Sequence, residues 1–286
     1  MNDYEVYDDI EIICTLLSLS ATEFASNIGV APDTITRWKN KRHEISEENL
    51  NAIYNFAFNA GIKLNKIKEQ LYREDCAGKD NIILFHGAKN VIDGNILVEK
   101  SRGTNDFGKG FYCGESMEQS AMFVAGYPKS TLYIFEFDKT KLSSTQFYVD
   151  QEWMLAIAYF RKKLKGYDDH PIIQNILNKV KNKDFIVAPI ADNRMFEIID
   201  SFIEGDITDV QCQHCLSATN LGNQYVIKTQ KAIDRLVMKR HCWLSDKEKQ
   251  FYLSSKYEES KIGNDKVKIA KKQYRGKGSY IEEILR

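Results

Sequence analysis

Long apolar runs are absent from this sequence: it has no stretch of about 18 apolar residues, so we expect no membrane-spanning helix. Proline and glycine are sparse, with four and sixteen in 286 residues, which argues against collagen-like and low-complexity chains. The opening stretch MNDYEVYDDIE is acidic and lacks the basic patch and apolar segment of a signal peptide. We therefore expect a cytoplasmic protein whose six cysteines are reduced.

Several motifs of catalysis and metal binding are absent too. There is no Gly-x-Ser-x-Gly elbow and no Walker loop, which argues against serine hydrolases and P-loop ATPases. The nearest approach to a metal motif is Cys212 and Cys215 in CQHC, with His241 and Cys242 as a second pair. Their spacing differs from that of structural zinc sites, and we expect no metal.

Charge is balanced overall but uneven along the chain. Residues 1–60 hold ten acids and four Lys or Arg, whereas residues 228–286 hold sixteen Lys or Arg and eight acids. A basic segment of this kind is typical of nucleic-acid contact. It is equally typical of a solvated helical surface, or of a partner for the acidic N-terminal region.

Residues 10–72 have the pattern of several short helices. Ser20 or Thr22 is suited to cap one helix, Pro32 lies in the first turn of the next, and Ser46 is suited to cap a third. Two short helices joined by a glycine-containing turn are typical of a helix-turn-helix.

The segment with Phe24-Ala25, Ile28-Gly29-Val30 and the run TITRWK resembles the Xre family of phage-repressor-like DNA-binding domains. The resemblance implies that the second helix reads DNA. The implied nucleic-acid-binding residues are Thr34, Thr36, Arg37, Lys39, Lys41 and Arg42. The alternative is a small helical bundle that binds protein or dimerises, which the net negative charge of the region favours.

A second domain begins where KDNIILFHGAKN replaces the helical pattern with a short apolar strand. Further strands are predicted at 131–137, 184–189 and 224–228, with helices between them at 117–125, 152–165, 171–181 and 194–203. This order predicts an α+β fold. We place the domains at residues 1–76, a small all-α helix-turn-helix domain, and 77–286, an α+β domain with a basic extension.

The loop DFGKGFY combines backbone freedom with aromatic rings. Gly108 and Gly110 permit backbone angles closed to other residues and let a ligand approach closely. Phe111 and Tyr112 offer ligand-binding aromatic faces beside that gap. A ligand loop and a simple glycine turn into a strand are both consistent with these residues alone.

Together, LFHG, FGKGFY and NQYVIKTQKAIDRL resemble the ADP-ribosyltransferases of the diphtheria toxin and poly(ADP-ribose) polymerase branch. Their motif is His, Tyr and Glu on three strands, matched here by His86, Tyr112 and Gln224. Adding HGAKNVID, SRGTNDFGKGFY and DFIVAPIADN, the chain resembles the DUF3990 family over residues 82–286. The resemblance implies a split β-sheet and NAD as co-substrate.

The resemblance also implies a role for each matched residue. His86 would bind the adenosine ribose, and the Gly87 backbone would bind the nicotinamide amide. Tyr112 would stack on the nicotinamide ring. Arg102 or Lys109 would neutralise the diphosphate, with Arg102 better suited because its guanidinium is bidentate.

Gln224 departs from the motif, because glutamine carries no charge and is a poor base. One explanation is an acceptor that needs no base. A second is another carboxylate, for which Asp192 is the first candidate and Glu152 the second; Asp192 has the alternative of a simple helix cap. A third is a domain that binds NAD without turning it over.

The resemblances together imply a bacterial ADP-ribosyltransferase fused to a DNA-binding module. Such a protein would be a toxin of toxin–antitoxin type or a phage-defence effector. The alternatives are an NAD glycohydrolase and a transcriptional regulator that senses NAD with an inactive transferase domain. The expected partners are NAD, a protein or nucleic-acid acceptor, DNA, an antitoxin and a second copy of the chain, with no membrane.

Overall fold

The computed structural model describes residues 4–40, 44–218 and 222–286. Five helices come first: α1 Val6–Leu17, α2 Ala21–Asn27, α3 Pro32–Lys39, α4 Glu47–Asn59 and α5 Leu64–Asp75. The later helices are α6 Met117–Val124, α7 Gln151–Phe160, α8 Pro171–Val180, α9 Asn193–Ile203, α10 Asp209–Ser217, α11 Gln230–Ile233, α12 Asp246–Gln273 and α13 Ile281–Ile284, with a 3₁₀ turn at Val98–Lys100. The strands are β1 Asn81–Ala88, β2 Phe111–Gly114, β3 Thr131–Asp138, β4 Ser144–Gln146, β5 Phe185–Pro189, β6 Asn223–Ile227 and β7 Leu236–Trp243.

The N-terminal helices begin where capping residues predict. The Ser20 hydroxyl accepts the Glu23 N–H, and the Glu23 carboxylate accepts the Ser20 N–H in return, which is a capping box. Ser46 caps α4 through the Asn49 N–H. Pro32 occupies the first turn of α3, where its missing N–H costs nothing. The helix starts predicted at these positions are therefore confirmed.

The described strands form one mixed sheet of seven strands in the order β4-β5-β6-β2-β1-β3-β7. β4 and β5 are parallel and the other neighbours are antiparallel. A helical N-terminal region followed by this sheet and its helices confirms the α+β class.

Successive residues along a strand pack into separate cores on the two faces of the sheet. On β6, Val226 packs into a large cluster under α7–α10, whereas Tyr225 and Ile227 pack on the opposite face. On β1, Phe85 faces α6 and Leu84 faces the other side. This period-two pattern is that of a sheet buried on both faces.

Two long elements were not among the predicted ones. β7 carries Lys239, Arg240 and His241 in its middle, which conceals its strand character in a sequence. α12 spans 28 residues and is capped by Ser245 through the Glu248 N–H. It packs against α10, α6 and α4 and so joins both regions of the chain. None of the helices in the described ranges is long and apolar enough to cross a membrane.

The N-terminal helices are fastened to β7 by a buried charge cluster. Asp9 on α1 is fully buried, and its carboxylate pairs with Lys68 at 2.6 Å and with Arg240 of β7 at 2.8 Å. The Tyr54 hydroxyl donates to the same carboxylate. Trp243 at the end of β7 lies in the core of the N-terminal helices. The helical region therefore rests on the edge strand of the sheet.

Asp9→Ala tests this fastening. Removing the carboxylate leaves the buried Lys68 ammonium without its ion-pair partner and takes one of several partners from Arg240, so we expect the free energy of unfolding to fall by about 3–5 kcal/mol. Urea denaturation measures it. Glu11→Ala, on the exposed face of the same helix, is the control and should change stability by no more than about 0.5 kcal/mol. Equal losses in the two variants would contradict the assignment.

Candidate functional site

The two halves of the sheet meet at one point. β1 and β2 share a single register pair, Phe85 opposite Gly114. Beyond it, β1 continues beside β3 to Ala88, while β2 begins at Phe111 beside β6. The described residues form no further backbone pair between β1 and β2, so the strands separate beside Gly87 and Tyr112; we call this separation, which the His86 ring bridges, the gap.

Two glycines at this junction let α6 approach closely. A Cβ on Gly87 would lie 2.3 Å from the Ser120 carbonyl oxygen, and one on Gly114 would lie 2.8 Å from the Ser120 hydroxyl oxygen. Real Cβ atoms do not come so near, so position 87 requires glycine, and a side chain at 114 would require the Ser120 hydroxyl to move. The Ser120 hydroxyl donates to the Ser116 carbonyl at 3.0 Å. Ser120 is thereby held against the backbone where the two half-sheets join.

His86 spans the gap. Its Nδ1 lies 2.7 Å from the Tyr112 carbonyl oxygen, and because a carbonyl can only accept, Nδ1 carries the hydrogen. Burial lowers the pKa of His86, against the smaller opposing effect of this bond. The ring is therefore neutral near pH 7, with Nε2 an acceptor. The His86 ring stacks on the Phe111 ring, with 4.4 Å between their centroids. Phe111 therefore helps to orient His86.

The loop before β2 is closed on itself. The Tyr112 hydroxyl donates to the Gly108 carbonyl at 2.7 Å and accepts the Phe107 N–H at 3.1 Å. Gly108 has φ of +71°, a conformation suited to glycine. The Lys228 ammonium donates to the Phe107 carbonyl at 2.6 Å and also to the Lys109 carbonyl. Burial raises the pKa of the Tyr112 hydroxyl, so it remains a donor.

The three residues of the His-Tyr-Gln motif lie on adjacent strands but not on one face. His86 shares a face with Leu84 and Phe111. Tyr112 packs on the opposite face with Val226, and Gln224 faces the same way because it is two residues from Val226. The structure brings Tyr112 and Gln224 together and joins His86 to them through the Tyr112 carbonyl, across the gap.

Gln224 is held by a carboxylate that the sequence reasoning missed. Its Nε2 donates to Asp106 Oδ2 at 3.0 Å and to the Pro189 carbonyl at 3.1 Å. The other Asp106 oxygen accepts from Arg161 at 2.9 Å. Burial raises the pKa of Asp106, and the bonds from Gln224 and Arg161 oppose the rise. Asp106 is the first residue of the loop DFGKGFY, so the sequence already showed that it lies close to Tyr112 along the chain.

The carboxylates that the sequence put forward are engaged elsewhere. Asp192 caps α9, accepting the Met195 N–H at 2.9 Å. It therefore has the helix-capping role that the sequence analysis gave as its alternative. Glu152 pairs with Lys179 between α7 and α8. Asp106 is the carboxylate that contacts Gln224.

The two cations proposed for the diphosphate differ in their surroundings. Lys109 pairs with Glu99 at 2.8 Å on the surface. Arg102 pairs with no carboxylate in the described part of the chain. The pKa of the nearby Tyr127 is lowered, first by a hydrogen bond from Lys89 and then by the charges of Lys89, Lys256 and Arg102. Arg102 is thus close enough to Tyr127 for its charge to act there together with those of Lys89 and Lys256.

The predicted DNA-reading helix is α3. Thr36, Arg37 and Lys39 are exposed on it, and Thr34 is half-buried. The Lys39 ammonium lies over the Tyr7 ring at 4.8 Å. Ile35 and Trp38 are buried on the opposite face. Lys41 and Arg42 lie outside the described residues.

Within the ranges that the structure describes, no three His, Cys, Asp or Glu side chains gather as a metal site would require. Cys212 and Cys215 are fully buried in α10. Burial raises the pKa of both thiols, and the sulfurs face the Ile198 and Val267 carbonyls. These contacts are those of core cysteines.

Gly87→Ala tests the close approach at the junction. The new methyl group would press on the Ser120 carbonyl, and we expect a loss of about 1–3 kcal/mol in the free energy of unfolding. Gly103→Ala is the matched control, because nothing lies within 4 Å of the methyl group there. Urea denaturation compares the two. A Gly87→Ala variant as stable as Gly103→Ala would contradict the packing described.

Comparison with known proteins bears on residues from β1 to β7. No curated protein and no solved structure matches the chain. The family model described as "Protein of unknown function (DUF3990)" matches residues 82–238, more than half of the chain. The match includes His86, the glycine loop and Gln224. The chain therefore belongs to the DUF3990 family.

Proposed function

We propose that the protein is an NAD-dependent ADP-ribosyltransferase with its site at the gap between β1 and β2. The observation that carries the proposal is the junction itself. One register pair joins two half-sheets, and His86, Gly87 and Tyr112 flank the separation, with Gln224 on the next strand. The order His, Tyr, Gln along the chain follows the motif of the transferases that the sequence resembles.

The proposed reaction breaks the bond between the nicotinamide nitrogen and ribose C1′. The bonding electrons leave with nicotinamide, C1′ bonds to the acceptor nucleophile, and the acceptor loses its proton. Such a reaction needs a positioned substrate and a favourable field more than covalent help from the protein. A narrow gap lined by backbone and aromatic groups is suited to that task.

Each residue at the gap has a role consistent with its contacts. His86 Nε2 accepts from a ribose hydroxyl, because Nδ1 is committed to Tyr112. Gly87 is half-buried, and its backbone binds the nicotinamide amide. Tyr112 offers its ring and keeps the loop closed through its hydroxyl. Arg102, which pairs with no carboxylate among the described residues, faces the diphosphate charge. Gln224 accepts from the second ribose.

The N-terminal region adds a second proposed activity. α3 exposes Thr36, Arg37 and Lys39, as a DNA-reading helix does. Its attachment to β7 supports a protein in which DNA or an antitoxin, bound at the helices, is coupled to the transferase. On this proposal the protein is a toxin of toxin–antitoxin type or a phage-defence effector. An NAD-sensing regulator is the competing function, supported by the uncharged Gln224.

Release of nicotinamide from NAD by the purified protein, with and without cell lysate, tests the enzyme proposal. We expect Tyr112→Ala to lower the rate of nicotinamide release by about a hundredfold or more. The substitution removes both the tyrosine ring and the hydroxyl that closes the glycine loop. Tyr148→Ala removes an exposed tyrosine and should not change it. The same pair is compared for growth inhibition on expression.

The outcomes separate the candidates. Labelling of a lysate component identifies transfer, and release without labelling identifies a glycohydrolase. Absence of release with intact NAD binding identifies the sensing regulator. Unchanged release by Tyr112→Ala would contradict the site.

Binding of the full chain to duplex DNA carrying its own promoter tests the helical region. We expect Arg37→Ala to weaken binding and to reduce the slope of log affinity against log salt by about one, since one phosphate or base contact is lost. Lys165→Ala, an exposed loop lysine on the other domain, is the control. Equal binding by all three proteins, or none at low salt, would contradict a DNA-reading α3.

A further inference from the structure

Asp106 is nearly buried although it carries a carboxylate. Its side chain is 12% exposed, and its two oxygens are divided between two donors, Gln224 Nε2 at 3.0 Å and Arg161 at 2.9 Å. The Arg161 guanidinium also lies over the Phe196 ring, 3.3 Å from its centroid. A buried carboxylate is stable only with such partners. Asp106 is therefore placed to act on both of them.

The Gln224 amide has one orientation in these surroundings. Both of its hydrogens are used, one by Asp106 and one by the Pro189 carbonyl. Turning the amide over would set its oxygen against a carboxylate and a carbonyl, both of which are acceptors only. The amide oxygen must therefore point away from Asp106 and Pro189. On that side the residue presents an acceptor and no donor.

The same contacts disfavour glutamate at position 224. An ionised carboxylate there would face the Asp106 carboxylate and the Pro189 carbonyl with no hydrogen to share. Two carboxylates about 3 Å apart cannot both be ionised at low cost. Asp106 thus favours glutamine over glutamate at position 224. The negative charge that the motif has at this position is carried here by Asp106, the partner of Gln224.

We infer that Asp106 is a positioning residue that fixes the Gln224 amide so that its oxygen accepts a hydroxyl of the ribose bound to nicotinamide. The inference rests on the proposed function for its ligand, and on the Asp106–Gln224–Arg161 contacts for its geometry. Arg161 holds Asp106 in place and balances its charge. Asp106 itself touches no ligand.

A double-mutant cycle without ligand tests the geometry. Four full-length proteins are compared by urea unfolding: wild type, Asp106→Asn, Gln224→Glu, and both changes together. We expect the double variant to have a higher urea midpoint than Gln224→Glu, because the introduced asparagine donates to the introduced glutamate and restores an amide–carboxylate pair. Additive losses would overturn the inference.

Gln224→Glu alone should also acquire a pH dependence. The neighbouring Asp106 carboxylate raises the pKa of the introduced glutamate in the folded state, so the folded protein holds a proton that the unfolded chain has released. Stability then falls as the pH rises above the ordinary glutamate pKa of about 4.3. The other titratable groups facing the pair are Arg161 and Tyr112, with Lys228 at the adjacent Phe107 carbonyl. The same pH dependence of stability in Gln224→Glu as in wild type would count against the pairing.

Discrimination between NAD and its analogue lacking the 2′-hydroxyl of the nicotinamide ribose tests the role. Wild type should prefer NAD by about fivefold, the effect of one hydrogen bond, and Asp106→Asn should lose most of that preference. Ser245→Ala is the control: it removes the cap of α12 and lowers stability, but should keep the preference. A preference retained by Asp106→Asn would overturn the inference.

The two proposals fail in different ways. If wild type binds no NAD, the proposed function falls, and with it the assignment of a ribose ligand. The unfolding cycle still reports on the Asp106–Gln224 pair in that event, since it needs no ligand. If wild type binds and cleaves NAD but the cycle is additive, the proposed function stands and the positioning role is removed.

Discussion

The contact of Ser120 with Gly87 and Gly114 is the constraint from which the candidate site follows. Gly114 is a member of the pair that joins β1 to β2, and Gly87 lies two residues beyond its partner Phe85; a Cβ at either glycine would meet Ser120. α6 can therefore lie directly against the junction. The backbone pairing between β1 and β2 ends at this junction, and the gap lies next to Gly87.

What surrounds the gap is made rigid by polar bonds rather than by apolar packing alone. The His86 ring joins the strands at one side. Lys228 and the Tyr112 hydroxyl hold the glycine loop from the other. Such groups are buried only where each donor has an acceptor, since an unpaired one costs about 1–3 kcal/mol. The loop therefore has one well-defined conformation, as a binding site requires.

The N-terminal helices are part of the same structure. Asp9 connects α1 to Lys68 on α5 and to Arg240 on β7. β7 pairs with β3, which pairs with β1. Rings at matching positions on these strands form a row: His241 stacks on Tyr133 at 4.5 Å, and Tyr133 lies beside His86. The helical region is therefore physically continuous with the candidate site.

Much of this protein could be predicted from its sequence, for physical reasons that are local. Capping by Ser20 and Ser46 and the apolar runs of β1 and β3 depend on neighbours within a few residues. The α+β class followed from their order. His86, Tyr112 and Gln224 were recognisable by their motifs, and the structure sets them on adjacent strands.

Contacts between distant segments were decided only by the tertiary structure. Asp106 and Gln224 are 118 residues apart, and Arg161 reaches them from the end of α7. No local pattern marks such a pairing, because burial of a charged group depends on which partners the fold brings to it. Likewise the sequence around Arg240 is that of an exposed residue, and only the fold places its side chain against Asp9. The sequence by itself determined many of the helices and strands and the motif residues, while the fold decided which carboxylate supports Gln224 and how the two regions join.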